Sequence, residues 1–180
     1  MRLYVGFTFS VLIITPFKRV NATYVKFAKN NSETMPIRQL TPMSEIDRYT
    51  EQELKRLQTV LIRSLQYCGE QVLNTARSTN SYKDQTGNLR SSLGYVIAVD
   101  GRVVYQSDFQ TVKQGRDGSE KGAAFAKKLV RRFPHGVCLI VVAGMEYAAH
   151  VKNKGYDVLD SSELFADKIV PSMLKQLGFT

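Results

Sequence analysis

The sequence predicts an α+β domain in which a long N-terminal helix and further helices pack on a small antiparallel or mixed β-sheet. Three observations favour this class. Apolar residues recur every three or four positions over about residues 45–78, Asp100-Gly101 joins two β-rich runs, and Val137–Ala143 is a continuous apolar run. The predicted order of elements is helix, hairpin, helix, strand, helix. A chain of 180 residues is long enough for one packed domain and short for two.

The chain divides at residue 42 into an arm, residues 1–42, and a single α+β domain, residues 43–180. The arm begins like a signal peptide, but Lys18 and Arg19 follow its apolar run, and that run is shorter than the roughly 20 residues that span a bilayer. Three interpretations stay open: a mis-assigned start or disordered extension, an export signal, and a β-strand. The strand alternative comes from the alternation of Phe7, Phe9, Val11 and Ile13 with smaller or polar residues.

The long helix carries one apolar stripe. Thr50 with Glu53 three residues later is a capping-box pattern, which predicts that the helix begins or restarts there. The sequence is barely long enough for a coiled coil, so we expect the stripe to pack on the domain's own sheet. Its members are Leu54, Leu57, Leu61, Leu65, Cys68, Val72 and Ala76.

A short helix capped by Thr86 and then the hairpin follow the long helix. Residues 108–118 are predicted to form a loop. The glycines of the segment GRDGSEKG are interpreted as a source of flexibility, because the segment lacks the Gly-Lys-Ser/Thr ending of a phosphate-binding loop. The next helix is predicted over about residues 120–133, and Pro134 ends it.

The C-terminal third begins with the apolar run Val137–Ala143, predicted as a strand buried on both faces. The segment MEYAAHVK predicts a short helix, and Tyr156–Leu159 a short edge strand. Asp160 with Glu163 is a second capping box, which opens a terminal helix kinked at Pro171. The residues predicted to be buried on that helix are Leu164, Phe165, Ile169, Met173 and Leu177.

The sequence shows no recognisable catalytic or metal-binding pattern. Cys68 and Cys138 lie among apolar neighbours, which predicts buried free thiols rather than nucleophiles. His135 and His150, the two histidines, lack partners at convincing zinc-ligand spacing. There is no Gly-x-Ser-x-Gly elbow and no recognisable carboxylate pair. We therefore predict a protein that is not an enzyme and has no catalytic residue, metal or cofactor.

The formal net charge of +9 is concentrated in part on one predicted helix, where a basic cluster is expected to bind a partner. Its residues are Lys121, Lys127, Lys128, Arg131 and Arg132. The spacings of seven and four place three of them on one side of the helix, away from the apolar side. No aromatic residues are interleaved for base stacking, so the pattern favours contact with an acidic protein ring or non-specific DNA contact over sequence reading.

The order of these segments resembles a tail-completion family of long-tailed phages and prophages, also described as minor tail or head–tail joining proteins. The resemblance covers about residues 45–178 and depends on four pieces in order. The first is the amphipathic N-terminal helix, which ends in a basic turn. The others are TGNLRSSL leading into the hairpin, AGMEYAAHVKNKGYDVL after the apolar strand, and the final SSELFADKIVPSMLKQLG. The chain departs from the family at Lys152, where members often have Glu shortly after the Tyr-Ala pair.

The resemblance implies a non-enzymatic virion protein that is assembled in the bacterial host cytoplasm. It implies a homo-oligomeric ring at the head–tail junction, which contacts phage connector or neck proteins and tail proteins and has no small-molecule substrate. Two alternatives stay open. An exported or membrane-attached protein is suggested by residues 1–20, and a basic nucleic-acid-binding module is suggested by the charge.

Overall fold

The computed structural model describes residues 2–5, 11–15, 42–79 and 81–178. Its strands pair only antiparallel, in the order β1-β2-β5-β3-β4, and helices cover the sheet, which confirms the α+β prediction. The strands are β1 Arg2–Val5, β2 Val11–Thr15, β3 Leu93–Val99, β4 Arg102–Gln106 and β5 Val137–Ala143. The helices are α1 Met43–Ser78, α2 Asn88–Ser91, α3 Arg116–Val130, α4 Ala148–Asn153 and α5 Asp160–Gln176.

The predicted hairpin is confirmed as β3 and β4. Asp100 and Gly101 have φ values of 48° and 75°, the left-handed conformation that a two-residue hairpin turn requires. The turn is tied to the loop before β5, because the Asp100 N–H donates to the Gly136 carbonyl and the Gly136 N–H donates to the Asp100 carboxylate. The hairpin tip is therefore fixed against the segment that leaves α3.

Alternate residues of β3 and β5 enter two separate cores, one on each face of the sheet. Helices α1 and α5 cover one face, and α3 covers the other. Cys68 belongs to the first core and Cys138 to the second, so the sheet separates the two thiols, and both are free and buried, as predicted. Burial raises the pKa of Cys68, and it raises the pKa of Cys138 to about 11, so both stay protonated at neutral pH.

Helix α3 begins at Arg116, four residues before the predicted start, so the interpretation of its glycines as flexible loop residues is wrong. Gly118 and Gly122 are buried inside the helix. A Cβ at Gly118 would lie 2.0 Å from the carbonyl oxygen of Asn88, and one at Gly122 would lie 2.6 Å from that of Ser92. These glycines are needed because α3 packs directly against the backbone of α2 and the start of β3.

The capping prediction is wrong at α1 and incomplete at α2. Thr50 lies inside α1, which begins at Met43, and its hydroxyl donates to the Ile46 carbonyl at 2.8 Å. At α2, the Thr86 hydroxyl accepts the Asn88 N–H at 3.4 Å. The Asp84 carboxylate, which the sequence did not assign to the cap, accepts the N–H groups of Gly87 and Arg90. Near a helix N-terminus, the sequence offers several side-chain oxygens that could accept the free N–H groups. The tertiary fold determines which of them lies close enough to do so.

The C-terminal segment departs from prediction at two places. Residues 156–159 form no strand; Val158 and Leu159 are buried, and Asp157 accepts the Ser161 N–H at the start of α5. Leu164 is exposed rather than buried, because α5 turns the stripe of Ser162, Ala166 and Val170 toward the core. Pro171 lies inside α5, as predicted.

The backbone of the N-terminal segment adds two strands to the sheet. β1 pairs with β2, and β2 pairs with β5. This agrees with the strand alternative at Val11–Thr15, whereas Phe7 and Phe9 lie outside the described residues. The division of the chain at residue 42 stays a prediction. Across the described ranges, no helix is long and apolar enough to cross a membrane.

Candidate functional site

The predicted partner-binding residues all lie on the solvent side of α3 or in the turn that follows it. We call them the basic face: Lys121, Lys127, Lys128, Arg131 and Arg132, each of them exposed. Two backbone hydrogen bonds hold the turn after the helix, from the Arg132 N–H to the Leu129 carbonyl at 2.9 Å and from the Phe133 N–H to the Val130 carbonyl at 3.0 Å. The last two cations therefore continue the line of the helix.

The opposite side of α3 fixes the orientation of the basic face. Ala126, Leu129 and Val130 are buried in the core that α3 forms with β3 and β5. Because this apolar side is seated on the sheet, the charged side must face away from it. The structure thus brings the five predicted residues to one exposed surface, and they leave the core undisturbed.

The five cations are not equivalent. Lys121 forms an ion pair with Asp117 at 3.0 Å, and this hydrogen bond raises the pKa of Lys121. The other four make no ion pair with any residue that the structure describes. They lie at or just beyond the C-terminal end of α3, where the helix dipole favours positive charge. The uncompensated part of the basic face is therefore its C-terminal end.

A sixth cation, which the sequence did not assign to the site, lies at the same end of the molecule. Arg102 directly follows the hairpin turn and is exposed, and Gly101 of that turn approaches the backbone of Pro134. The Asp-Gly turn places Arg102 at a hairpin tip, but only the contact between that tip and the segment after α3 brings it near the basic face. This contact joins residues far apart in the chain, so no local pattern could show it.

A second exposed surface is the first half of α1, and here the packing prediction is wrong. The apolar stripe packs on the sheet only from Leu61 onward; Leu54 is 61% exposed and Leu57 is 49% exposed. We call residues 44–60 the exposed half, since none of them is buried. Its exposed large apolar residues are Ile46, Tyr49, Leu54, Leu57 and Val60.

The contacts of α1 show where the exposed half points. Near the C-terminal end of α1, the Arg77 guanidinium donates to the carbonyl oxygens of Leu93, at the start of β3, and Asp108. Two residues further along β3, the Tyr95 hydroxyl donates to the Glu70 carboxylate at 2.8 Å. The helix therefore runs antiparallel to β3, and its exposed half extends past the hairpin end, the same end that carries the basic face.

Two of the segments that carry the family resemblance meet in space. Tyr82, Thr86 and Leu89 line one side of a cleft, and Tyr147 and Val151 line the other. Burial raises the pKa of Tyr82 to about 12, so its hydroxyl stays neutral at physiological pH. In the part of the chain that the structure describes, no three His, Cys, Asp or Glu residues are grouped to hold a metal ion.

Comparisons with known proteins leave the family open. No family model, no curated protein and no solved structure matches this chain.

Proposed function

We propose that the protein is a non-enzymatic assembly subunit of a tailed phage or prophage, which works as a ring at the head–tail junction. Its partners would be further copies of itself and the connector, neck or tail proteins on either side. It would act in the virion after assembly in the bacterial host cytoplasm. This proposal starts from the resemblance of residues 45–178 to the tail-completion family.

One structural observation carries the proposal further. The subunit presents two surfaces at one end that its own described residues leave uncovered, the basic face and the exposed half of α1. Each lies on a helix whose other side or continuation is packed in the core. An exposed apolar patch of this kind is typical of an interaction site, and unpaired cations attract an acidic partner.

The test is a charge reversal in a phage or prophage that carries this gene. Lys128→Glu with Arg132→Glu should leave folding nearly intact, because exposed charges contribute little to stability. The double variant should produce fewer joined virions and more free tails, counted by electron microscopy. The defect should resemble the effect of raised salt on wild-type assembly, because exposed charge contacts are screened.

The matched control reverses two exposed cations on the other face of the sheet, Lys168→Glu with Lys175→Glu on α5. It changes the net charge equally and should leave the number of joined virions unchanged. Normal numbers in both double variants would contradict a docking role for the basic face.

The alternative of a nucleic-acid-binding module is favoured by the same four unpaired cations. It predicts that the purified protein binds any duplex DNA, with an affinity that falls steeply with salt, and that the reversal of Lys128 and Arg132 makes this salt dependence shallower. Absence of DNA binding by the wild type, together with a loss of joined virions in the double variant, would favour the protein partner.

A further inference from the structure

The exposed half of α1 carries its negative charge in its first part. Residues 44–54 contain four acidic residues and one basic residue, Arg48, whereas residues 55–60 add Lys55 and Arg56, so the exposed half as a whole has a net charge of −1. Glu51 and Glu53 make only long ion pairs within the helix, to Lys55 at 3.9 Å and to Arg56 at 3.6 Å. Glu45 and Asp47 pair with no residue in the described ranges. The first part of the apolar stripe is thus bordered by four carboxylates that have no close cationic partner among the described residues.

The two complementary surfaces cannot meet within one chain. Helix α1 lies on one face of the sheet and α3 on the other, so the sheet separates them. The exposed half continues a helix that is fixed in the core from Leu61 onward, so it extends past the hairpin end on the side of the sheet opposite its own basic face. Each surface can be covered by the other only between two molecules.

We propose that the exposed half of α1 docks on the basic face of a second copy of this chain, head to tail. The inference rests on the proposed ring and names its subunit contact. In such a contact, each protomer uses its exposed half to bind one neighbour and its basic face to bind the other. Successive copies close into a ring when the rotation between neighbouring protomers allows it.

The receiving surface also offers apolar contacts for the stripe. Val103 and Val104 are exposed on β4, the edge strand that follows Arg102 at the hairpin tip. In the register of the hairpin, Val103 lies opposite Ala98, whose side chain belongs to the α3 core, so Val103 is on the α3 side of the sheet. Val103 beside a row of cations therefore offers an apolar contact to a stripe of apolar side chains bordered by carboxylates.

The docked partner would also stabilise the exposed half of α1. The exposed half is about 26 Å long at 1.5 Å per residue, and most of the stability of helices in proteins comes from tertiary packing, which this half lacks. Contact with a second copy supplies the missing packing. Its length is comparable with that of α3, about 22 Å for 15 residues, so the two helices can lie along one another.

Two variants of the full chain, each with one broken surface, test the inference by sedimentation velocity. Leu54→Gln with Leu57→Gln breaks the exposed half, and Lys128→Glu with Arg132→Glu breaks the basic face. Each variant alone should be monomeric under conditions in which the wild type assembles, with association weakened about tenfold or more. A 1:1 mixture should form heterodimers and nothing larger, because one intact surface remains on each partner.

The pattern of outcomes separates this contact from others. Assembly of the basic-face variant alone, with loss only in the Leu54 and Leu57 variant, would mean that two exposed halves pair with each other, and it would overturn the proposal. Wild-type protein that stays monomeric up to about 1 mM would also overturn it. Neither result depends on virion counts, so the head–tail role can fail or survive separately. Lys168→Glu with Lys175→Glu should assemble like the wild type, and circular dichroism should show native folding in every variant.

Discussion

The two halves of α1 have the same apolar period but opposite environments. In the second half Leu65 is fully buried against the sheet, and in the first half Leu54 is 61% exposed. The periodicity identified the packed side of the helix correctly from Leu61 onward. It could not identify what covers that side, because a stripe packed on its own sheet and a stripe packed on another molecule have the same spacing.

The lengths of the elements explain where the change occurs. Helix α1 has 36 residues and is about 54 Å long, whereas β3 has seven residues and spans about 23 Å. Even with the tilt between helix and strand, a sheet of such short strands covers only about half of the helix. The uncovered half is therefore a consequence of the strand lengths, and it follows from two features that the sequence already contains.

The largest expected difference between the halves is in stability. Leu65→Ala should lower the free energy of unfolding by about 2–5 kcal/mol, because it empties a fully packed position. Leu54→Ala, the matched change in the exposed half, should alter it by no more than about 0.5 kcal/mol. Urea unfolding of dilute protein measures both. Equal losses in the two variants would show that the exposed half is packed within the monomer.

A smaller difference should appear at alkaline pH. Burial and the hydrogen bond to Glu70 raise the pKa of Tyr95 above its ordinary value of about 10. The folded state therefore holds this proton more tightly than the unfolded state. The resulting stability is complete below pH 10 and declines as the pH rises above it. Burial raises the pKa of Tyr82 to about 12, which adds to the same decline.

Tyr95→Phe should make this decline shallower without abolishing it, and it should lower stability at neutral pH by about 1 kcal/mol through the lost hydrogen bond. Tyr49→Phe in the exposed half is the matched control, and its unfolding curves should match those of the wild type. Urea unfolding at intervals from pH 8 to pH 11 measures both. An unchanged pH profile for Tyr95→Phe would contradict the role of this contact.

The sequence predicted most clearly the elements whose signals are local. The run Val137–Ala143 is β5, the Asp100-Gly101 pair forms the hairpin turn, and α1 lies within two residues of its predicted bounds. Apolar runs, left-handed turn residues and helical periods act over a few positions, so the order of the residues is sufficient to reveal them.

The predictions that are wrong concern features that depend on contacts between residues far apart in the chain. The need for a glycine at position 118 of α3 comes from the Asn88 backbone that lies against it, and residues 156–159 form no strand because Val158 and Leu159 enter the core. The candidate site shows both cases. The basic face follows from helical spacing, whereas the addition of Arg102 and the exposure of Leu54 require the tertiary fold.

The contrast between the two halves of α1 is tested most directly by hydrogen exchange measured along the helix, first in dilute monomer and then in assembled protein. We expect slow exchange for residues 61–78 in both states. We expect residues 44–60 to exchange rapidly in the monomer and slowly after assembly, because only a second molecule supplies their packing. Slow exchange of residues 44–60 in the dilute monomer, or rapid exchange in both states, would contradict the account.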